Sequence, residues 1–135
     1  MNLSFRIAKN IDITFDYLTD IQKFVSVHPV IFQIDNKGHE NYLVHEKLKF
    51  GFIPFSFTYP VIIEKSIADK KITIRAIVFK ITKVEMKFDL KAENGFTIID
   101  EEINFKSLLP IKFIMESIFK TQHQQLSKNI ELNGV

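Results

Sequence analysis

One ten-residue segment alternates charged and apolar residues without a break, and it limits the possible folds more than any other feature. From Lys83 to Ala92 every charged residue is followed by an apolar one: Val84, Met86, Phe88, Leu90 and Ala92. Successive side chains of a β-strand point to opposite faces, so this segment predicts a strand with one face in water and one in a core. Such a strand needs a sheet around it and a second apolar layer against it.

Further strands are predicted on both sides of this segment, with turn signals between them. The predicted strands cover 3–9, 30–35, 42–50, 52–65, 71–79, 83–92 and 96–106. The turns are predicted at 36–38, at Gly51, at 68–70 and at Asn94-Gly95, a dipeptide in which both positions tolerate positive φ. Short turns between consecutive strands predict an antiparallel meander.

The same alternation assigns an inner face to three more strands. Their predicted inward residues are Tyr42, Val44, Glu46, Leu48 and Phe50, then Phe55, Phe57, Tyr59, Val61 and Ile63, and finally Ile99, Glu101, Ile103 and Phe105. The predicted sheet therefore has one wet face and one apolar face that holds two carboxylates.

Helical periodicity appears at both ends of the chain. Asp12 is the predicted N-cap of a short helix, and Asp20 is the predicted N-cap of a second one that His28-Pro29 ends. Pro110 stands at the predicted first position of a long C-terminal helix that reaches about Ile130. Its apolar stripe is Ile111, Ile114, Met115, Ile118, Phe119, Leu126 and Ile130. One amphipathic helix against one amphipathic sheet predicts an α+β layer pair.

Composition excludes several classes of protein. The chain has no Cys, so disulfides and cysteine nucleophiles are excluded, and its net charge of +2 is too small to favour nucleic acid as a partner. Histidine spacing predicts no metal site. No apolar run suits a signal peptide or a bilayer crossing, so we expect a cytoplasmic protein without membrane insertion. With no linker or repeat, a single domain over 1–135 is expected.

Several short motifs resemble those of the START/Bet v 1-like (SRPBCC) superfamily, including its polyketide cyclase-like and coenzyme Q-binding branches. Leu18-Thr19-Asp20 followed by His28-Pro29 resembles the L-x-D…H-P stretch that many members have across their two small helices. Residues 97–105 are similar to the pattern of the members' last strand, which has Thr, an inward acid or His four residues later, and then alternate apolar residues. Leu109-Pro110 and a final helix with Phe119, His123 and Leu126 also fit. The resemblance implies a helix-grip fold of about six or seven strands, with a cavity for lipids, quinones or polyketide-like molecules.

This resemblance and the alternation together predict the residues that bind the ligand. They are Phe24, Phe32, Tyr42, Val44, Glu46, Leu48, Phe55, Phe57, Tyr59, Ile74, Val84, Met86, Phe88, Glu101, Ile111, Met115, Ile118 and Phe119. Val84 and Met86 stand where related proteins often have polar side chains such as His, which favours simple binding over polar catalysis. We expect no cofactor and no metal.

Glu46 and Glu101 are the candidate catalytic residues, because each carboxylate falls on the apolar face of its strand. A carboxyl group in an apolar pocket resists ionisation and can act as a general acid or base near neutral pH. The alternative is structural: each reaches water at a strand end or pairs with Arg75, a lysine or a tyrosine. His123, at the edge of the helix stripe, is a further candidate.

Three functions remain open from the sequence. The first is binding of a small apolar or amphipathic ligand, and the second is a cyclase or dehydrase that uses Glu46 or Glu101 with a substrate against Tyr42 and Tyr59. The third is an interaction module with a vestigial cavity, acting through a homodimer or another protein partner. The apolar stretches 52–55 and 108–110 lie where turns are normally polar, so they predict a cavity entrance or a docking patch.

Overall fold

A computed structural model describes residues 1–50 and 52–133, without the side chain of Phe50. The predicted turn at Gly51 and the predicted inward side chain of Phe50 therefore lie outside the described part. The elements are β1 (Asn2–Ile7), α1 (Ile11–Thr19), α2 (Ile21–Val27), β2 (Ile31–Gly38), β3 (Asn41–Phe50), β4 (Ile53–Ser66), β5 (Lys71–Val78), β6 (Thr82–Glu93), β7 (Phe96–Ser107) and α3 (Lys112–Asn133).

The strands form one antiparallel sheet in the order β1-β7-β6-β5-β4-β3-β2. Consecutive strands from β2 to β7 are neighbours, as a meander requires, and β1 returns to pair with β7. The two small helices follow β1, and α3 follows β7. This architecture confirms the predicted α+β helix-grip fold.

For the side chains that the structure describes, alternation assigned the inner face correctly with two exceptions. Val84, Phe88 and Leu90 on β6 are buried, but Ala92 is exposed beside the turn at Asn94-Gly95. Phe55 on β4 is 42% exposed. Its part of β4 extends past the end of β5 and pairs with β3 only, so less of the sheet surrounds it.

Of the two predicted N-caps, the one of α1 is wrong and the one of α2 is confirmed. Asn10, two residues before Asp12, caps α1, since its Oδ1 accepts a 2.8 Å hydrogen bond from the Ile13 amide. Asp20 caps α2 as predicted, accepting from the Lys23 amide at 3.0 Å. Asp12 therefore lies in the first turn of α1, where its carboxylate interacts favourably with the helix dipole.

Two more boundaries shift. The β2–β3 turn is at His39-Glu40, both with positive φ, because β2 continues through an irregularity to Gly38. The C-terminal helix begins at Lys112, so Pro110 precedes it, and the Ile111 carbonyl accepts the Met115 amide at 3.0 Å. Of the predicted stripe, Ile114 is 62% exposed.

The buried apolar side chains of residues 1–49 and 52–133 form two clusters. The larger one joins β1, α1, α2, the sheet and the end of α3: Ile7, Phe15, Leu18, Val27, Ile72, Phe88, Leu90, Ile99, Leu126 and Ile130. The smaller one is Val44, Val61, Ala76, Val84 and Ile103, surrounded by side chains that are only partly buried. No helix in the described ranges is long and apolar enough to cross a bilayer.

Candidate ligand-binding cavity

A cavity of about 130 Å³ lies between the inner face of the sheet, α2 and α3. Its apolar wall comprises Leu18, Ile21, Phe24, Ile31, Ile34, Val44, Val61, Ile63, Ile74, Met86, Phe88, Phe119 and Leu126. Its polar lining comprises Thr19, His28, Glu40, Tyr42, Glu46, Tyr59, Lys65, Gln122 and His123. Glu40 and Lys65 are exposed, so the cavity reaches the surface beside the β2–β3 turn and the end of β4.

Regular spacing in the sequence builds this lining. Alternate residues of β3 and β4 face inward, and Glu46 pairs in register with Phe57 while Val44 pairs with Tyr59. On α3, Phe119, Gln122 and Leu126 follow at steps of three and four residues, so all three lie on the face that turns toward the sheet.

Glu46 is a buried carboxyl group in this wall, only 8% exposed. The Tyr59 hydroxyl donates a 2.7 Å hydrogen bond to Glu46 Oε2. Burial raises the pKa of the Glu46 carboxyl above its usual value, while hydrogen bonds from Tyr59 and Gln122 and the charge of His123 oppose the shift. Burial and the neighbouring Glu46 also raise the pKa of Tyr59 well above its usual range, so Tyr59 stays a donor.

Glu101 is buried too, but it is tied to a histidine. His123 Nδ1 lies 2.6 Å from Glu101 Oε2, and the two side chains are 5% and 2% exposed. Phe88 stacks on the His123 ring at 6.0 Å and Phe119 meets it edge-on at 5.6 Å. This pairing fixes the orientation of the His123 ring and leaves its Nε2 unused by Glu101. His123 lines the cavity, whereas Glu101 does not.

His28 forms part of the wall at the end of α2. Its Nδ1 accepts hydrogen bonds from the amides of Val30 at 3.2 Å and Ile31 at 3.0 Å, which requires the neutral ring. Burial, with the charge of His123 second, lowers the pKa of His28 to about 3. His28 is therefore neutral at physiological pH.

Nine of the predicted ligand-binding residues line the cavity: Phe24, Tyr42, Val44, Glu46, Tyr59, Ile74, Met86, Phe88 and Phe119. The other nine lie elsewhere: Phe32, Leu48, Phe55, Phe57, Val84, Glu101, Ile111, Met115 and Ile118. Their positions explain this. Phe32 is half-exposed, and Val84 is packed inside the smaller buried cluster. Most of the others lie near the β3–β4 turn or at the start of α3, away from the cavity.

The same end carries the apolar stretches 52–55 and 108–110, so the predicted entrance there is not where the cavity opens. Sequence reasoning also missed Gln122, a polar residue on the inner face of α3. Its spacing from Phe119 and Leu126 is the signal that could have found it. Among the described side chains, no group of three His, Asp or Glu residues could hold a metal ion.

Known proteins share this fold at low sequence identity. The crystal structure of Ara h 8.0201 is 18% identical, with a TM-score of 0.77 over 97% of this chain and 93% of that one. A START superfamily protein from Mycobacterium smegmatis is 11% identical, with a TM-score of 0.79 over the same shares. Zhui aromatase/cyclase from a Streptomyces species is 9% identical, with a TM-score of 0.71 over 100% and 98%.

These similarities show that the chain has the START/Bet v 1-like fold that its motifs resemble. No protein-family model matches the sequence, and no curated protein matches it either. The similarity of this chain to known proteins is therefore one of backbone fold.

Proposed function

We propose that this chain binds a compact, mainly apolar molecule with one neutral polar group in the cavity beneath α3. The observation that carries the proposal is a mostly apolar cavity whose wall also contains the polar side chains of Glu46, Gln122 and His123. Ligand sites typically combine an apolar wall with a few placed polar groups. A cytoplasmic location, expected from the sequence, is part of this proposal.

The volume limits the size of the guest. An apolar cavity of about 150 Å³ holds benzene, so the cavity here, of about 130 Å³, suits a single ring. Drug-sized guests occupy roughly 300 Å³ or more. A lipid, quinone or polyketide-like ligand would therefore place one ring or end group inside and extend through the opening beside Glu40 and Lys65.

The charges select the polar group of the guest. A ligand carboxylate would bring a second negative charge against buried Glu46, at high cost in a medium of low dielectric constant. A hydroxyl can donate to the Glu46 carboxylate and accept from the Gln122 amide. We expect phenol to bind and benzoate to be rejected.

Thermal unfolding with phenol and benzoate tests this proposal. A ligand at a hundred times its Kd adds about 2.7 kcal/mol to the stability of the folded state, so saturating phenol should raise Tm and benzoate should not. Ile74→Phe fills the cavity from β5 and should abolish the rise. Ile77→Phe, on the outer face of the same strand, is the matched control and should keep it. No rise with the wild type, or an equal rise in Ile74→Phe, would contradict the proposal.

A second candidate function is proton transfer of the cyclase or dehydrase kind, and the position of Glu46 favours it. Glu46 lines the cavity together with Tyr42 and Tyr59, and its raised pKa suits a general base. The test is hydrogen–deuterium exchange at the α-carbon of cyclohexanone in D₂O. Exchange above the buffer rate that is lost in Glu46→Gln would support catalysis. Exchange at the buffer rate would contradict catalysis, and ligand binding would then be the remaining candidate function.

A further inference from the structure

Large apolar side chains protrude into solvent at one end of the sheet. We call this surface the apolar tip and define it as Phe52, Ile53, Phe79, Leu108, Leu109 and Phe113. Phe52 is fully exposed, Phe113 is 92% exposed and Leu108 is 84% exposed. Exposed apolar patches larger than scattered single residues mark interaction sites.

The tip is one surface although it comes from three separate loops. The β3–β4 hairpin meets the β5–β6 turn through the rings of Phe57 and Phe79, whose centroids are 4.9 Å apart. The β5–β6 turn meets the segment before α3 through a 3.3 Å hydrogen bond from the Leu108 amide to the Ile81 carbonyl. Phe113 follows in the first turn of α3.

Lysines surround this tip and acids are almost absent. Residues 47–55, 79–83 and 106–116 contain six lysines, all exposed, and one acid, Glu116. Their net charge is +5 in a chain whose total is +2, so the rest of the chain is net negative. Glu116 lies 3.9 Å from Lys112 and offsets only one of the six. The positive charge is therefore concentrated where the apolar side chains protrude.

We infer that the apolar tip docks on the surface of an anionic lipid bilayer. The protruding Phe and Leu side chains enter the interfacial layer, and the lysines contact the negative headgroups. A partner protein would need a pocket for each protruding side chain and an acidic rim, whereas a bilayer of anionic lipids meets both demands at once. This revises the sequence expectation of no membrane insertion only for these side chains, because docking needs no spanning helix.

Docking by the tip is independent of the proposed ligand binding. The cavity opens beside Glu40 and Lys65, at the opposite end of β3 and β4 from Phe52. A docked chain keeps this opening in water. The two activities can therefore fail separately, and the variants that remove one should preserve the other.

Co-sedimentation with vesicles tests the inference. The wild type should bind vesicles of phosphatidylcholine with 30% phosphatidylglycerol roughly tenfold or more tightly than pure phosphatidylcholine, and added salt should weaken binding. Phe52→Ser/Phe113→Ser should lose roughly tenfold or more, and so should Lys49→Glu/Lys80→Glu. Ile67→Ser/Ile77→Ser removes two exposed apolar side chains outside the tip and should bind like the wild type.

Two results would overturn the inference. One is no binding of the wild type to the anionic vesicles, and the other is equal loss in the Ile67→Ser/Ile77→Ser control. If the wild type leaves vesicles unbound and sedimentation velocity shows a dimer that Phe52→Ser/Phe113→Ser dissociates, the tip belongs to an interface with a second copy of the chain. Circular dichroism and thermal unfolding of each variant verify that it is folded.

Discussion

The two halves of α3 belong to one helix but face different surroundings. In the C-terminal half, His123, Leu126 and Ile130 are buried against β1, α2 and the sheet. In the N-terminal half, Phe113 and Ile114 are exposed, and no residue before His123 is fully buried. The apolar side chains of one helix thus stabilise the fold at one end, while toward the other end Phe119 covers a cavity and Phe113 contributes to the tip. Periodicity predicts which side of a helix is apolar but not whether that side is covered.

The largest difference between the halves should come from the buried pair of His123 and Glu101. His123→Leu leaves Glu101 buried without a partner, which should lower the free energy of unfolding by about 3–5 kcal/mol. His123→Leu/Glu101→Leu replaces both polar side chains with apolar ones and should recover most of that loss. Urea denaturation at pH 7 measures both variants. A double variant as unstable as the single one would show that packing, and not the unpaired carboxylate, sets the cost.

A matched pair of truncations compares the halves directly. Ile130→Ala should lower stability by about 2–5 kcal/mol, because it leaves a hole in the larger cluster. Ile114→Ala, the same change on the exposed side of the same helix, should stay within about 0.5 kcal/mol of the wild type. Equal costs in urea denaturation would contradict the division of the helix.

A smaller effect of opposite sign is expected at Glu46. Its pKa is raised on folding, so the stability it contributes is present at low pH and is lost as pH rises through the folded-state pKa. Glu46→Gln keeps an acceptor for Tyr59 and should gain about 0.5–2 kcal/mol at pH 7, with little gain at pH 4. Unfolding free energies at the two pH values decide this, and a loss at pH 7 would contradict a destabilised carboxylate.

Alternation was enough to predict the sheet and the inward placement of both Glu46 and Glu101. It could not distinguish their roles, because β3 and β7 are not neighbours and only the path of α3 decides that His123 meets Glu101. The β2–β3 turn was predicted too early, because Asn36-Lys37-Gly38 is a strong turn signal. In the structure these residues form an irregularity within β2, and the strand continues to Gly38. The cavity depends on gaps between side chains, which no local pattern encodes.

The most direct test of the account is where a ring-sized guest sits. Phenol should show intermolecular nuclear Overhauser effects to the methyl groups of Val44, Ile74 and Met86, which line the cavity on three different strands. Effects confined to Ile53 and Leu108 would place the guest on the apolar tip and contradict a binding cavity beneath α3.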